Sequence, residues 1–260
     1  MAGERPAILE LRKVAMAFAK PSGEPLPVLD HIDMAIRAGE IVGLLGRSGS
    51  GKSTLLRIAG GLIRPTSGEV RYRGAPLMAR AEGIAMVFQT VALFPWLNVL
   101  ENVEAGLDAL ALPHKEARRR AEDAVNLIGL DGFQSAYPRE LSDGMRQRVG
   151  FARAMAMRPD VLLLDEPFSA LDASAAETLR TDFLDLWTGR PIAAQAALVV
   201  THNIEEAALI CDRLLVLSSN PARIAAEIPV ALARPRDSLE DKFGRIVDQV
   251  YAILTARSVA

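Results

Sequence analysis

The segment Gly46-Arg47-Ser48-Gly49-Ser50-Gly51-Lys52-Ser53-Thr54 matches the pattern G-x-x-x-x-G-K-[ST], with an additional glycine at position 49. Each residue type in it has a use in holding phosphate. Glycines let the backbone curl until successive N–H groups point at one anion. A helix that opens directly after the loop turns its positive end toward the same point. Lys52 would reach the β- and γ-phosphates of a nucleotide, and the Ser53 hydroxyl would ligate Mg2+. Residues 46–54 are therefore predicted to form a nucleotide-binding loop.

Three other apolar runs end in polar residues suited to hydrolysis at that nucleotide. The run at 161–164 ends in Asp165-Glu166. Asp165 is placed to hold Mg2+ through water, and Glu166 to take a proton from an attacking water. The run at 85–88 ends in Gln89, suited either to contact the metal or to orient the water. The run at 198–200 ends in Thr201-His202, which brings an imidazole to the same edge. Ligands of an open α/β sheet gather at the carboxyl ends of its strands, where all of these groups fall. Other reactive residue types read as structural. His31 lies in an alternating strand pattern and His114 at a helix start. Arg118-Arg119-Arg120, between Glu116 and Glu122, reads as a solvated helix face. The methionines between 145 and 157 read as core, and Cys211 as a buried, inert thiol in a helical stretch.

Such groups need a scaffold, and the hydropathy pattern supplies one. Ile41-Val42-Gly43-Leu44-Leu45 is nearly all apolar, as are the runs at 85–88, 161–164 and 198–200, which predicts strands buried on both faces. Helix-period segments at 54–63 and 173–187 separate them, implying a parallel sheet covered on both sides. Alternating patterns at 8–14 and 29–37 predict half-buried antiparallel strands, with Pro21, Gly23, Pro25 and Pro27 marking a loop between them. Residues 101–111, 115–128 and those after Leu141 read as helices, so a helical subdomain is expected at about 91–153. A main domain at 1–232 is then followed by an extension at 233–260. The extension opens with Arg234-Pro235-Arg236 and continues as an amphipathic helix at 239–254.

Composition sets the outer bounds. The 260 residues are 50% hydrophobic and 24% charged, which excludes wholesale disorder. A net charge of -2 argues against non-specific binding to nucleic acid. One cysteine excludes an internal disulfide framework and points to a reducing, cytoplasmic setting. No unbroken apolar core follows the N-terminus, as a signal peptide would need, and nowhere do 18 apolar residues run together. A role at a membrane is therefore expected to come through a partner.

Taken together, these residues resemble the ATP-binding subunit of ABC transporters over about residues 9–236. Leu141-Ser142-Asp143-Gly144-Met145-Arg146-Gln147-Arg148 looks like the family's signature motif. Gln89, Ser169-Ala170-Leu171-Asp172 and His202 look like its Q-loop, D-loop and switch histidine, and Phe18 takes the place of the aromatic that stacks on adenine. The resemblance implies an α/β P-loop NTPase (RecA-like) fold: a parallel sheet core, an N-terminal antiparallel β-subdomain and an inserted helical subdomain. It implies ATP and Mg2+, with Glu166, His202, Gln89 and Lys52 as catalytic residues and Ser53, Gln89 and Asp165 at the metal. It also implies a head-to-tail homodimer in which Ser142 and Gly144 of one copy close on the γ-phosphate held by the other. The family usually carries glycine where this chain has Asp143. Facing inward, that carboxylate would oppose the phosphate; facing outward, it would cap the helix.

Within the family, Phe94-Pro95-Trp96-Leu97-Asn98-Val99, the Met-Arg-Gln-Arg ending of the signature and the segment at 218–224 are similar to nitrate/sulfonate/taurine-type importers. That likeness implies uptake of a small anion through a separate permease dimer, supplied by a substrate-binding protein, with this chain peripheral on the cytoplasmic face of the membrane. Leu93, Phe94, Pro95 and Trp96 either line a groove for a permease helix or pack inside the helical subdomain. A competing class is a nucleotide-gated clamp that dimerises and barely hydrolyses, favoured by Asp143 and opposed by Glu166 and His202. A non-transport ABC ATPase would need long coiled-coil insertions or tandem domains, and an ordinary P-loop kinase leaves the signature unexplained.

Overall fold

A computed structural model describes residues 6–189 and 192–256 of the chain. They form two compact units, one running to Ala81 and resuming at Gln195, the other comprising Glu82–Ala194.

The first unit opens with β1 (Ala7–Ala19) and β2 (Pro25–Arg37), paired antiparallel. The chain then passes through β3 (Glu40–Leu45) into α1 (Lys52–Ala59). β4 (Ser67–Tyr72) returns beside β1, and the two-residue β5 (Ala75–Pro76) completes a sheet of order β2-β1-β4-β5. Leu9, Leu11 and Val14 of β1 are buried, as are Ile32 and Ile36 of β2. The predicted loop reached Pro27, but Pro25 and Pro27 belong to β2. As the edge strand, β2 can carry residues that donate no ladder hydrogen bond.

The second unit contains β6 (Ile84–Val87), α2 (Val99–Glu104), α3 (His114–Leu127), α4 (Asp143–Ala156), β7 (Val161–Asp165) and α5 (Ala173–Gly189). β6 and β7 pair in parallel, and the residues between them form no strand, in line with the expected helical stretch. The single helix predicted at 101–111 instead stops at Glu104 and tightens into a 3-10 helix, Ala105–Leu110. Gly106 lies in the first turn of the 3-10 helix, where an added Cβ would lie 2.4 Å from Arg153 Cγ. Tertiary packing there overrides the helical pattern. Phe88, expected at the end of β6, lies just beyond it and is exposed. Phe151 of α4 sits against Phe168 and Phe183, with ring centroids 6.3 and 6.1 Å away.

The chain re-enters the first unit through β8 (Ala196–Val200), α6 (Ile204–Ile210), β9 (Arg213–Leu217), β10 (Ile224–Pro229) and α7 (Asp241–Thr255). β3 lies between β8 and β9, parallel to both, and β10 runs antiparallel to β9. Every residue of β8 is buried, as is β3 from Ile41 onward, which explains their unbroken apolar runs. Gly43 is required inside β3, because a Cβ there would meet Leu214 Cδ2 at 2.7 Å and Cys211 Sγ at 2.9 Å. Cys211 itself closes α6 and is buried, and burial pushes its thiol pKa upward, so the inert reading stands. β4, β9 and β10 had no counterpart in the sequence reading. Leu239, expected within the last helix, precedes α7 and is exposed. Among the described residues no helix is long and apolar enough to cross a membrane.

Candidate active site

In the first unit, buried β3 delivers the chain into residues 46–51 at its carboxyl end. Gly49 and Gly51 adopt φ of 75° and 88°, the left-handed region that favours glycine. A Cβ on Gly51 would also meet Leu29 Cδ2 at 2.9 Å, and one on Gly46 would lie 2.6 Å from Ser50 Oγ. The loop therefore requires these glycines for both curvature and space. Lys52 Nζ donates to the carbonyls of Gly46 (2.8 Å) and Arg47 (3.0 Å), folding the ammonium over the loop. α1 starts at Lys52 with neither a side-chain cap nor an acidic residue in its first turn, so its positive end faces the loop unopposed. Ser50 Oγ is buried without a hydrogen-bond partner among the described residues, a polar atom poised for a ligand. Arg47, Ser48 and Gly49 are exposed, while Ser53 and Thr54 are half-buried.

Two other predicted residues share this unit. Phe18 of β1 stands opposite Leu26 of β2 and is 42% exposed. Leu44 of β3 lies beside Val200 of β8, and Thr201 N donates to Leu44 O at 3.3 Å. His202 thus leaves the sheet at the same edge as the phosphate loop, on the neighbouring strand, and is exposed. The corner after it is fixed by short bonds. Thr201 Oγ1 accepts from Asn203 N (3.1 Å), and Asn203 Oδ1 caps α6 by accepting from Glu206 N (3.0 Å).

In the second unit, β7 ends in buried Asp165 and partly exposed Glu166. Glu166 has φ of 46°, a left-handed conformation that a non-glycine residue rarely adopts and that recurs at functional sites. Gln89, just past neighbouring β6, donates through Nε2 to Glu166 Oε2 at 3.2 Å and to Ser169 Oγ at 3.3 Å. Ser169 Oγ donates in turn to Glu166 O at 3.0 Å. Amide, carboxylate and hydroxyl thus form one cluster. The part played by Ser169 was not legible in the sequence, where it stood only within the D-loop segment.

The signature segment opens α4. Ser142 is its N-cap, with Oγ accepting from Met145 N at 3.2 Å. An added Cβ on Gly144 would meet Ala175 Cβ at an ordinary 3.5 Å. The Asp143 side chain is 74% exposed and accepts from Arg146 Nη2 at 2.5 Å, while Arg146 Nη1 donates to Pro138 O at 3.0 Å. The carboxylate is therefore paired outward. Its i,i+3 spacing to Arg146 on a helix was the signal that could have revealed the pair.

The rings of Phe94 and Trp96 lie against each other at a tilt of 42° with centroids 5.5 Å apart, and Trp96 remains 69% exposed. Their loop is held from beneath by Asn102, which is fully buried. Its Nδ2 donates to the carbonyls of Phe94, Leu97 and Asn98, and its Oδ1 accepts from Phe94 N and Arg153 Nη2. A rigid backbone thus presents an uncovered indole, which disagrees with internal packing of Trp96. The same unit holds a groove of about 430 Å³ that includes Arg120, Leu127, Met155 and Arg158, but none of the predicted site residues.

Comparison with known proteins identifies the family. The family model for ABC transporters matches residues 29–169. The taurine import ATP-binding protein TauB of Burkholderia pseudomallei (strain 1710b) is 43% identical over 225 residues, 86% of this chain and 84% of that one. The nitrate import ATP-binding protein NrtD of Synechocystis sp. is 38% identical over 258 residues, 96% of each chain. A solved dimeric ATP-binding cassette in a post-hydrolysis state, bound to ADP and Pi, matches with a TM-score of 0.75. It is 32% identical and covers 86% of this chain and 100% of that one. On these likenesses, the chain belongs to the ABC transporter family, as one of its ATP-hydrolysing, ATP-binding subunits.

Proposed function

We propose that this subunit hydrolyses ATP at reaction centres completed by a second copy, and so drives import of a small anion through a separate permease. The observation that carries the hydrolytic part is the Gln89 amide set 3.2 Å from the Glu166 carboxylate at the end of β7. In this reading the amides of residues 46–51 and Lys52 bind the β- and γ-phosphates, and Phe18 stacks on adenine. Glu166 takes the proton from a water attacking the γ-phosphorus; the bond to the bridging oxygen breaks, and ADP and phosphate leave. His202 contacts the γ-phosphate. Ser53, Gln89 and Asp165 would hold Mg2+, a hard-oxygen set with few protein ligands that suits this ion. When bound, Mg2+ supplies positive charge to the phosphate oxygens. Asp143, the one residue favouring a clamp that barely hydrolyses, is exposed and paired with Arg146, which supports the hydrolysing reading.

Ser142 and Gly144 of one copy face the nucleotide of the other, where the N-terminal end of α4 favours an anion. In this reading Trp96 and its neighbours receive a permease helix, and the chain sits peripherally on the cytoplasmic face of the membrane. The substrate class follows the relatives named for taurine and nitrate import. Replacing Ser142 by Tyr and Gly144 by Val together should abolish turnover by the assembled transporter while ATP still binds. Undiminished turnover would overturn the shared centre.

A further inference from the structure

Arg234 and Arg236, which open the C-terminal extension, belong to none of the groups described above. α6 has seven residues, too few to persist through its own ladder. Any helix leaves its last four carbonyls without partners inside the helix. For α6 these are the carbonyls of Ala208, Leu209, Ile210 and Cys211, and all four accept from the two arginines. Arg236 Nη1 donates to Ala208 O at 2.8 Å, Leu209 O at 3.1 Å and Cys211 O at 2.5 Å. Arg234 Nη2 donates to Ile210 O at 2.5 Å. The Arg236 side chain is only 1% exposed, and a planar guanidinium is the cation able to serve several carbonyls at once. Both arginines also lie beside Asp212 Oδ1, at 2.9 and 3.6 Å, while Asp212 Oδ2 accepts from Ile41 N of β3 at 2.8 Å.

The other end of α6 begins directly after His202. The imidazole is thus carried on a strand-to-helix corner whose helix is clasped at its far end from the extension and tied there to the strand that feeds the phosphate loop. We infer that Arg236, assisted by Arg234, is a positioning residue for His202: the extension sets the direction of α6, and through it the place of the imidazole. This rests on His202 acting at the ATP site, as proposed above.

The test uses the full chain. Arg236→Lys keeps a positive charge beside Asp212, but one ammonium cannot span the same carbonyls. In the assembled transporter kcat should fall about ten-fold, with KM for ATP within about two-fold of wild type because the phosphate loop is untouched. Arg234→Lys should do the same more weakly. The chain has three histidines, so imidazole NMR signals report placement directly. In both variants the His202 signal should shift while those of His31 and His114 stay. A clasp that merely supports the fold would lower Tm and leave the His202 signal in place; that result, or unchanged kcat in both variants, overturns the inference. A His202→Gln variant with wild-type turnover would instead refute the role of His202, while the NMR shift would still decide what positions it.

Discussion

The strand edges of the two units, to which the proposal assigns phosphate chemistry, are built by different means. At the end of β3 the tools are backbone: left-handed glycines, the first turn of α1, and one lysine bonded to the loop's own carbonyls. At the end of β7 the tools are side chains that hold one another, with Gln89 and Ser169 tethered around a carboxylate in an unfavourable backbone conformation. Affinity can rest on N–H groups that folding has already fixed. Proton transfer needs a basic atom held in one place. In the proposed reading the first edge is therefore a binding device, and the second a reactive one.

Four substitutions would break or sharpen that division. The largest effect is expected from Glu166→Gln, which should lower turnover of the assembled transporter by about 10²–10⁴-fold with ATP binding intact. If titration showed affinity falling in parallel, the division would fail. Lys52→Ala should do the reverse, weakening nucleotide binding about 10- to 100-fold, the worth of a charge-assisted bond to phosphate; calorimetry would measure it. Trp96→Ala should reduce permease co-purification about ten-fold while leaving ATP affinity unchanged. Smallest is Asp143→Gly, because an exposed ion pair is worth about 0–1 kcal/mol. Phosphate-release assays should show equal turnover or a rise of up to about five-fold, and a large loss would give Asp143 a positive role.

Much of this was legible from local chemistry. A loop of glycines before a lysine, and apolar runs ending in acids, depend on neighbours in sequence, so residues 46–54 and 165–166 could be read directly. What escaped depends on distant packing. Nothing near Gly106 announces Arg153, so the change of helix type at Ala105 was hidden. The prolines of β2 look like loop residues until the strand is known to lie at an edge. Arg234 and Arg236 were named only as the opening of the extension, because the α6 carbonyls they serve lie 24 to 28 residues upstream.

The glycine at position 43 has a practical consequence. By making room in β3 for Cys211, it lets the chain's only sulfhydryl be fully buried. To a maleimide the native protein should behave as if it had no cysteine. Spectroscopic labels can therefore be installed at an exposed residue outside the proposed sites, such as Leu239, on an otherwise natural sequence, and the separation between copies followed through a cycle of turnover.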